Sequence, residues 1–228
     1  MRKHLTKNKI MSRAIFFCLL SYSIAACSID AYDKGEGENS LLTAEMTEAF
    51  VNSDGKVTAV ETDEGEHLAL TTPTTVKWMS KSDTTYRALL YYNRVGDNKA
   101  EAVNFNRVGV LTPHTLVTKE KKDTMKTDPI YVESIWVSKN KKYVNMRLRL
   151  LTGTSDDDKA MQTIGLIRDS INSTSTHERL ILYHDQGGQP EYYSSTAFAS
   201  IPLAEIHADT LTITVNTYDG LLSRIITK

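Results

Sequence analysis

The chain has 228 residues, of which 40% are hydrophobic and 24% charged, a composition typical of a folded globular protein rather than a disordered or fibrous one. Five of its 27 basic residues and none of its 28 acidic residues lie in the first 26 positions, so the remainder carries 22 basic against 28 acidic residues. The resulting net charge of −6 argues against a nucleic-acid partner, which would need a basic groove.

The first 26 residues contain the three parts of a bacterial export signal in the expected order. Five cationic side chains precede the apolar run at residues 14–20, which is too short to span a bilayer as a helix. The following Ile24-Ala25-Ala26-Cys27 resembles a bacterial lipobox, in which the cysteine thiol carries diacylglycerol. We predict a signal peptide over residues 1–26 and lipidation at Cys27, with an ordinary secretory peptide or an uncleaved anchor helix as alternatives.

Lipidation at Cys27 predicts that the mature protein stays on a membrane, because a multiply acylated N-terminus is a lasting anchor. Cys18 would leave with the signal, so no disulfide is expected. We predict a flexible tether at residues 27–40, because this segment is rich in acidic residues and glycines and has almost no apolar side chains to bury. We expect a lipid-anchored location in the cell envelope, with the outer membrane favoured and its periplasmic or surface face left open.

From residue 41 onward the apolar pattern has a period of two, which is typical of half-buried β-strands. Residues 143–150 alternate in this way, with Val144 and Leu148 on the apolar face and Arg147 on the other. Other predicted strands are residues 56–62, 86–95, 101–110, 131–137, 162–168, 178–184, 211–215 and 221–227, and one helix is predicted at residues 41–50. The sequence therefore predicts an all-β fold built from barrels or sandwiches.

Two irregularities interrupt the strand pattern. The apolar positions change parity between Val103 and Val110, which predicts a β-bulge. Residues 118–128 are largely Lys, Asp and Thr, so either a domain linker or one long hairpin loop fits this segment.

The lipobox, the strand patterns at residues 86–95, 131–137 and 178–184, and Ser200-Ile201-Pro202-Leu203 together resemble the NigD-like lipoproteins of Bacteroides-type bacteria. The resemblance implies an OB-like β-barrel at residues 41–118, a linker or exposed loop at residues 119–130 and an antiparallel β-sandwich at residues 131–228. That family takes its name from a bacteriocin gene cluster and has no agreed catalytic residues, so the resemblance implies no reaction.

The sequence lacks the common motifs of catalysis and metal binding, including HExxH, GxSxG, P-loop and GxGxxG patterns. Asp156, Asp157 and Asp158 could offer oxygens to Ca²⁺, but a solvated turn is the simpler interpretation. His184, before Gly187-Gly188, is interpreted as the end of a strand. We therefore predict no catalytic residue, no metal site and no cofactor.

Three surface features remain as candidates. Trp78, Trp136 and the tyrosines would stack on sugars where exposed, although one tyrosine of each adjacent pair is expected in the core. Arg147 and Arg149, with Lys139, Lys141 and Lys142, form the most basic surface, which is most simply the solvent face of a strand. Four short motifs beginning with Asp resemble the O-glycosylation sites of exported Bacteroides-type proteins, with candidate sites at Thr84, Thr124, Ser170 and Thr210.

These features predict a non-enzymatic envelope module that binds a glycan, peptide or protein partner, as an accessory to a membrane complex or in bacteriocin self-protection. Its contact surface is expected on the barrel, near residues 86–99. A hydrolase acting on an envelope polymer is the alternative, and it would need a pair of carboxylates or a metal cluster.

We expect Cys27→Ala to abolish incorporation of labelled fatty acid and Cys18→Ala to leave it unchanged, because the lipid is attached to the Cys27 thiol. Metabolic labelling of both variants measures this directly. Incorporation that survives in Cys27→Ala would contradict the lipoprotein interpretation.

Overall fold

The computed structural model describes residues 42–115, 125–155 and 160–228, all within one compact unit. These residues form β-structure with a single 3₁₀ turn, Leu203–Glu205, and no α-helix. No helix in the described ranges is long and apolar enough to cross a membrane. The expected fold class, an all-β chain with a closed barrel and a sandwich, is confirmed.

The N-terminal barrel consists of five strands in the order β1-β2-β3-β5-β4 and closes through the pairing of β1 with β4. The strands are β1 (Thr43–Val51), β2 (Val57–Thr62), β3 (His67–Thr74), β4 (Thr84–Arg94) and β5 (Lys99–Arg107). Alternate residues point inward, so Leu90 and Tyr92 of β4 are fully buried in the barrel with Val60 and Leu68.

β1 occupies the segment for which a helix was predicted, so that prediction was wrong. The Ala, Glu and Met residues of this segment favour a helix locally. In the barrel, however, residues 43–51 pair with β4 along their whole length and residues 47–51 also pair with β2. Pairing on both sides, together with burial of Ala49 and Val51, therefore overrides the local preference.

The predicted β-bulge lies at Val103. Tyr91 pairs with Asn104 and Tyr92 pairs with Ala102, so Val103 is the extra residue of β5. Val103 is consequently 50% exposed, whereas Phe105 is buried in the barrel.

The sandwich contains two sheets. One has the order β14-β13-β11-β10-β7 and the other the order β6-β12-β9-β8. The strands are β6 (Gly109–Val110), β7 (Pro113–Thr115), β8 (Tyr131–Val137), β9 (Tyr143–Thr152), β10 (Thr163–Arg168), β11 (His177–Asp185), β12 (Tyr193–Pro202), β13 (Thr210–Thr217) and β14 (Gly220–Thr227). The long pairs are antiparallel apart from β11 with β13, and the short strands β6 and β7 also pair in parallel. The sheets are therefore mixed, not purely antiparallel.

The chain passes from barrel to sandwich at Val108, earlier than the boundary expected near residue 118. β6 and β7 already pair with the sandwich strands β12 and β10. Residues 116–124 lie outside the described ranges, but β7 and β8 on either side belong to the two sandwich sheets. After this gap, Thr127 forms a bridge with His184, and Asp128 N donates to His184 O.

The sandwich core follows the alternation seen in the sequence. Its buried members include Val144, Met146, Leu148, Leu211, Ile213 and Val215, while Leu150 packs partly buried against them. Thr212, on the opposite face of β13 from Leu211 and Ile213, is nevertheless only 5% exposed. Its hydroxyl lies 2.6 Å from Nε2 of His177 on the neighbouring strand, so the outer face of this sheet is covered there.

We expect Leu148→Ala or Ile213→Ala to lower the free energy of unfolding by about 2 to 5 kcal/mol, because each leaves a cavity in the core. Ile225→Ala is the matched control, since Ile225 is 66% exposed; its effect should stay within about 0.5 kcal/mol. Chemical denaturation measures all three, and equal losses would contradict the core assignment.

Candidate functional site

A buried arginine on β4 joins the barrel to the sandwich. The Arg87 side chain is 2% exposed, and its Nη2 lies 2.7 Å from both carboxylate oxygens of Asp63. Nη2 also donates to Asn145 Oδ1 at 3.0 Å, and Nε donates to Ser200 Oγ at 3.1 Å. The Tyr143 ring packs 4.1 Å from the guanidinium carbon. One charged group thus binds the barrel turn and two sandwich strands, β9 and β12.

The partners of Arg87 also bind one another. Asn145 Nδ2 donates to Asp63 Oδ2 at 2.6 Å, and Ser200 Oγ donates to Asn145 Oδ1 at 2.7 Å. Most polar groups of the cluster are therefore paired, as a buried charge requires, whereas Arg87 Nη1 has no hydrogen-bond partner among the described residues. We call Arg87, Asp63, Asn145 and Ser200 the junction network.

Ion pairs surround the junction network and use much of the basic surface predicted from the sequence. Lys142 Nζ lies 2.8 Å from carboxylate oxygens of both Glu48 and Glu61, and these contacts raise the pKa of Lys142. Tyr143 donates to Glu48 at 2.6 Å, and burial together with this bond raises the pKa of Tyr143 to about 12. Lys139 binds Glu64. Lys139 and Lys142 thus contact carboxylates of the barrel, whereas Lys141 is exposed.

The two arginines of the predicted basic surface are also paired. Arg147 and Arg149 lie 2.7 and 3.5 Å from carboxylate oxygens of Glu133 on β8. The Arg147 guanidinium lies 5.9 Å from the Phe198 ring, and that of Arg149 lies 4.1 Å from the Tyr131 ring. Arg147 remains half exposed and lines the cleft described next.

An open cleft of about 660 Å³ lies between the barrel and the four-stranded sheet, beside the junction network. Its walls are formed by Ala44, Glu45, Met46, Asp63, Glu64, Leu89, Tyr91, Ser134, Trp136, Arg147 and Phe198. Met46 and Leu89 form a small apolar cluster against which Tyr91 and Phe198 pack. Trp136 is 36% exposed, so its ring is accessible at the sandwich wall. We call this the Trp136 cleft.

The Trp136 cleft combines aromatic rings with carboxylates that already have partners. Glu45 accepts a hydrogen bond from Tyr92 at 2.9 Å, and burial together with this bond raises the pKa of Tyr92 to about 12. Glu64 is held by Lys139. Across the described residues no group of three or more His, Cys, Asp or Glu could hold a metal. The arrangement is suited to packing against a ring or an apolar side chain.

The structure separates the aromatic residues singled out from the sequence. Trp78 packs against the barrel core and donates from Nε1 to Phe105 O at 3.2 Å, so it is not an open stacking platform. Of the first tyrosine pair, Tyr91 lines the cleft and Tyr92 is buried, as expected. Tyr192 and Tyr193 are 80% and 57% exposed, so the expectation of one core residue was wrong for this pair.

The remaining sequence candidates lie away from the cleft. His184 is buried with Nδ1 3.0 Å from Asp128 O, and Gly187, at φ +58, fits tightly against Met161 O. Ser170 is exposed, whereas Thr84 and Thr210 are half-buried at strand ends. Cys27, Thr124 and Asp156 to Asp158 lie outside the described residues. Lipidation and glycosylation at the predicted positions remain predictions.

A closed five-stranded barrel fused to a two-sheet sandwich, with a cleft at their junction, defines the class of this protein. The model of the NigD-like C-terminal beta sandwich domain matches residues 113–227, half of the chain. The chain therefore belongs to the NigD-like family, and the resemblance inferred from the sequence is confirmed.

Solved structures share the fold of about four fifths of the chain. A NigD-like immunity protein from Bacteroides caccae has a TM-score of 0.62 at 24% identity, covering 80% of this chain and 91% of its own. A protein named as toxin-related, from Parabacteroides distasonis, has a TM-score of 0.65 at 15% identity over 82% and 93%. A protein named as a lipoprotein, from Bacteroides fragilis, has a TM-score of 0.57 at 13% identity over 81% and 96%. No curated protein matches the chain.

We expect Asp63→Ala to lower the free energy of unfolding by about 3 to 5 kcal/mol, because it leaves the buried Arg87 without its counter-ion. Replacing Arg87 by Met in the same background should recover part of this loss. Urea denaturation of the single and double variants measures both effects. A loss below about 1 kcal/mol, typical of a surface pair, would contradict the network.

Proposed function

We propose that the protein is a lipid-anchored envelope binding protein that holds a peptide or protein partner in the Trp136 cleft without chemical turnover. The observation that carries this proposal is an accessible aromatic cleft between the barrel and the sandwich. Its volume of about 660 Å³ lies within the range of ligand pockets, which are lined mainly by apolar and aromatic side chains. Trp, Tyr and Arg, which dominate binding hot spots, all line this cleft.

Self-protection against a toxin supplies a specific partner class for this binding. The Bacteroides caccae neighbour is named as an immunity protein and the Parabacteroides distasonis neighbour as toxin-related. A protein held on the envelope by Cys27 would meet such a partner at the membrane. We propose the outer membrane as the location, supported by the lipobox and by the neighbour that is named as a lipoprotein.

The hydrolase alternative has less support from the cleft. A glycan-cleaving hydrolase would need a carboxylate pair free to exchange protons or to attack. Glu45 and Glu64, which both line the cleft, are bound to Tyr92 and Lys139 instead. The cleft therefore favours binding over turnover.

We expect Trp136→Ala to weaken capture of the partner by about tenfold or more, as loss of an interface tryptophan does. The lipidated protein, cross-linked in its own membranes and then affinity-purified, identifies the partner, and titration with that partner gives the Kd. Tyr192→Ala is the matched control, because Tyr192 is 80% exposed and outside the cleft. Both variants should keep the thermal midpoint.

Three outcomes would contradict this proposal. Capture that survives Trp136→Ala but is lost on substitution of Asp97, Asn98 and Lys99 would place the contact on the barrel hairpin. Loss only on changes at residues 187–193 would place it on the sandwich turn. Release of cleaved glycan, peptide or ester by the purified protein would favour the hydrolase.

A further inference from the structure

β12 has an edge that its neighbouring strand leaves partly uncovered. β12 contains ten residues, but β6 pairs only with Ala199 and Ser200. On this side Leu111 N donates to Ser200 O at 2.9 Å. Backbone groups of alternate strand residues point to the same side, so the N–H and C=O of Ser194 and Thr196 also face this edge. Among the described residues they have no backbone partner there, and both residues are exposed.

The uncovered edge borders a groove of about 640 Å³. Gly109, in β6, lies beside β12, whereas Arg107 is the last residue of the barrel strand β5. The chain therefore diverges from β12 between these two residues. Asn106 and Arg107 form one wall of the groove, and Thr196 and Phe198 form the other. Leu111 and Leu148 of the sandwich core, together with Ile164 packed against that core, line its floor. The groove continues into the Trp136 cleft, since Tyr91, Arg147 and Phe198 line both.

The groove has cations on its outer walls and apolar side chains on its floor. Arg107 is exposed, lies 5.3 Å from the Trp78 ring and forms no ion pair with any residue that the structure describes. Arg147 is the second cation and shares Glu133 with Arg149. A strand placed here would direct alternate side chains to the floor and to the arginines.

We propose that this groove binds an extended peptide segment by strand addition to β12, with apolar side chains on the floor and alternate carboxylates directed at Arg107 and Arg147. The open N–H and C=O groups of Ser194 and Thr196 supply the main-chain hydrogen bonds that give affinity in such additions. The arginines supply the selection for acidic residues. This inference rests on the proposed binding function and adds the chemistry of the partner.

Amide hydrogen exchange of the full-length protein tests the strand addition. The probe is a capped hexapeptide of alternating Glu and Val, compared with one of alternating Lys and Val. At saturation with the Glu peptide, exchange at Ser194 and Thr196 should slow by about tenfold or more, as newly hydrogen-bonded amides do. Ser195 and Ala197, whose amides face β9, are internal references.

Variants test the groove chemistry. Arg107→Gln should raise the Kd of the Glu peptide about tenfold, through loss of a charge-assisted contact. Thr196→Pro should abolish binding by removing an open N–H. Arg224→Gln is the matched control, because Arg224 is exposed on β14, another sheet edge, and should leave the Kd unchanged.

Three results would overturn the proposal: no slowing at Ser194 and Thr196, equal binding of the Lys peptide, or equal slowing along β14. The Trp136→Ala variant distinguishes strand addition to β12 from partner binding in the Trp136 cleft. If capture of the partner is insensitive to Trp136→Ala but β12 exchange slows, the cleft assignment fails and strand addition stands. If capture depends on Trp136 and β12 exchange is unaffected, strand addition alone is wrong.

Discussion

The burial of the Arg87 guanidinium constrains how the barrel and the sandwich meet. A charge removed from water is tolerated only where counter-ions and hydrogen-bond acceptors surround it, because its desolvation costs several kcal/mol. Here those groups come from both domains: Asp63 from the barrel, and Asn145 and Ser200 from two strands of the sandwich. A shift of one domain against the other would break several of these bonds together. The network therefore selects one docking geometry.

The same geometry produces the Trp136 cleft. Alternate side chains of a strand lie on the same face, so the face that contributes to the junction network also lines the cleft a few residues farther along. The outer face of β4 presents Arg87 and then Leu89 and Tyr91, while Leu90 faces the barrel core. β12 likewise passes from Ser200 to Phe198, which lines the cleft. The domains are thus joined by hydrogen bonds at Arg87 and Ser200, and farther along the two strands Leu89, Tyr91 and Phe198 line the cleft. The cleft is a consequence of the docking.

Alternation in the sequence identified the sandwich core around Leu148 and Ile213, because side chains on the inner face of a strand pack only against other apolar core side chains. It could not show what covers the outer face. Lys142 therefore looked like part of a solvent-exposed basic surface, whereas its partners Glu48 and Glu61 lie on the barrel, more than eighty positions away in the chain. Likewise, the importance of Arg87 and Trp136 depends on two domains meeting, which no local pattern contains. The resemblance to a family predicted a barrel and a sandwich, but it did not predict which residues join the two domains.

If the Trp136 cleft binds a partner as proposed, its location affects how that partner is recognised. Trp136, Tyr91, Arg147 and Phe198 lie on strands with partners in their sheets, so the proposed binding would cost them little conformational entropy. The hairpin at Asp97 contributes nothing to the cleft walls. The proposed recognition by strand faces and an open strand edge would favour an extended partner, because an extended segment can follow both the edge of β12 and the cleft beside it. Under the proposed binding function, the junction of barrel and sandwich, not the loops, would set the specificity for a partner.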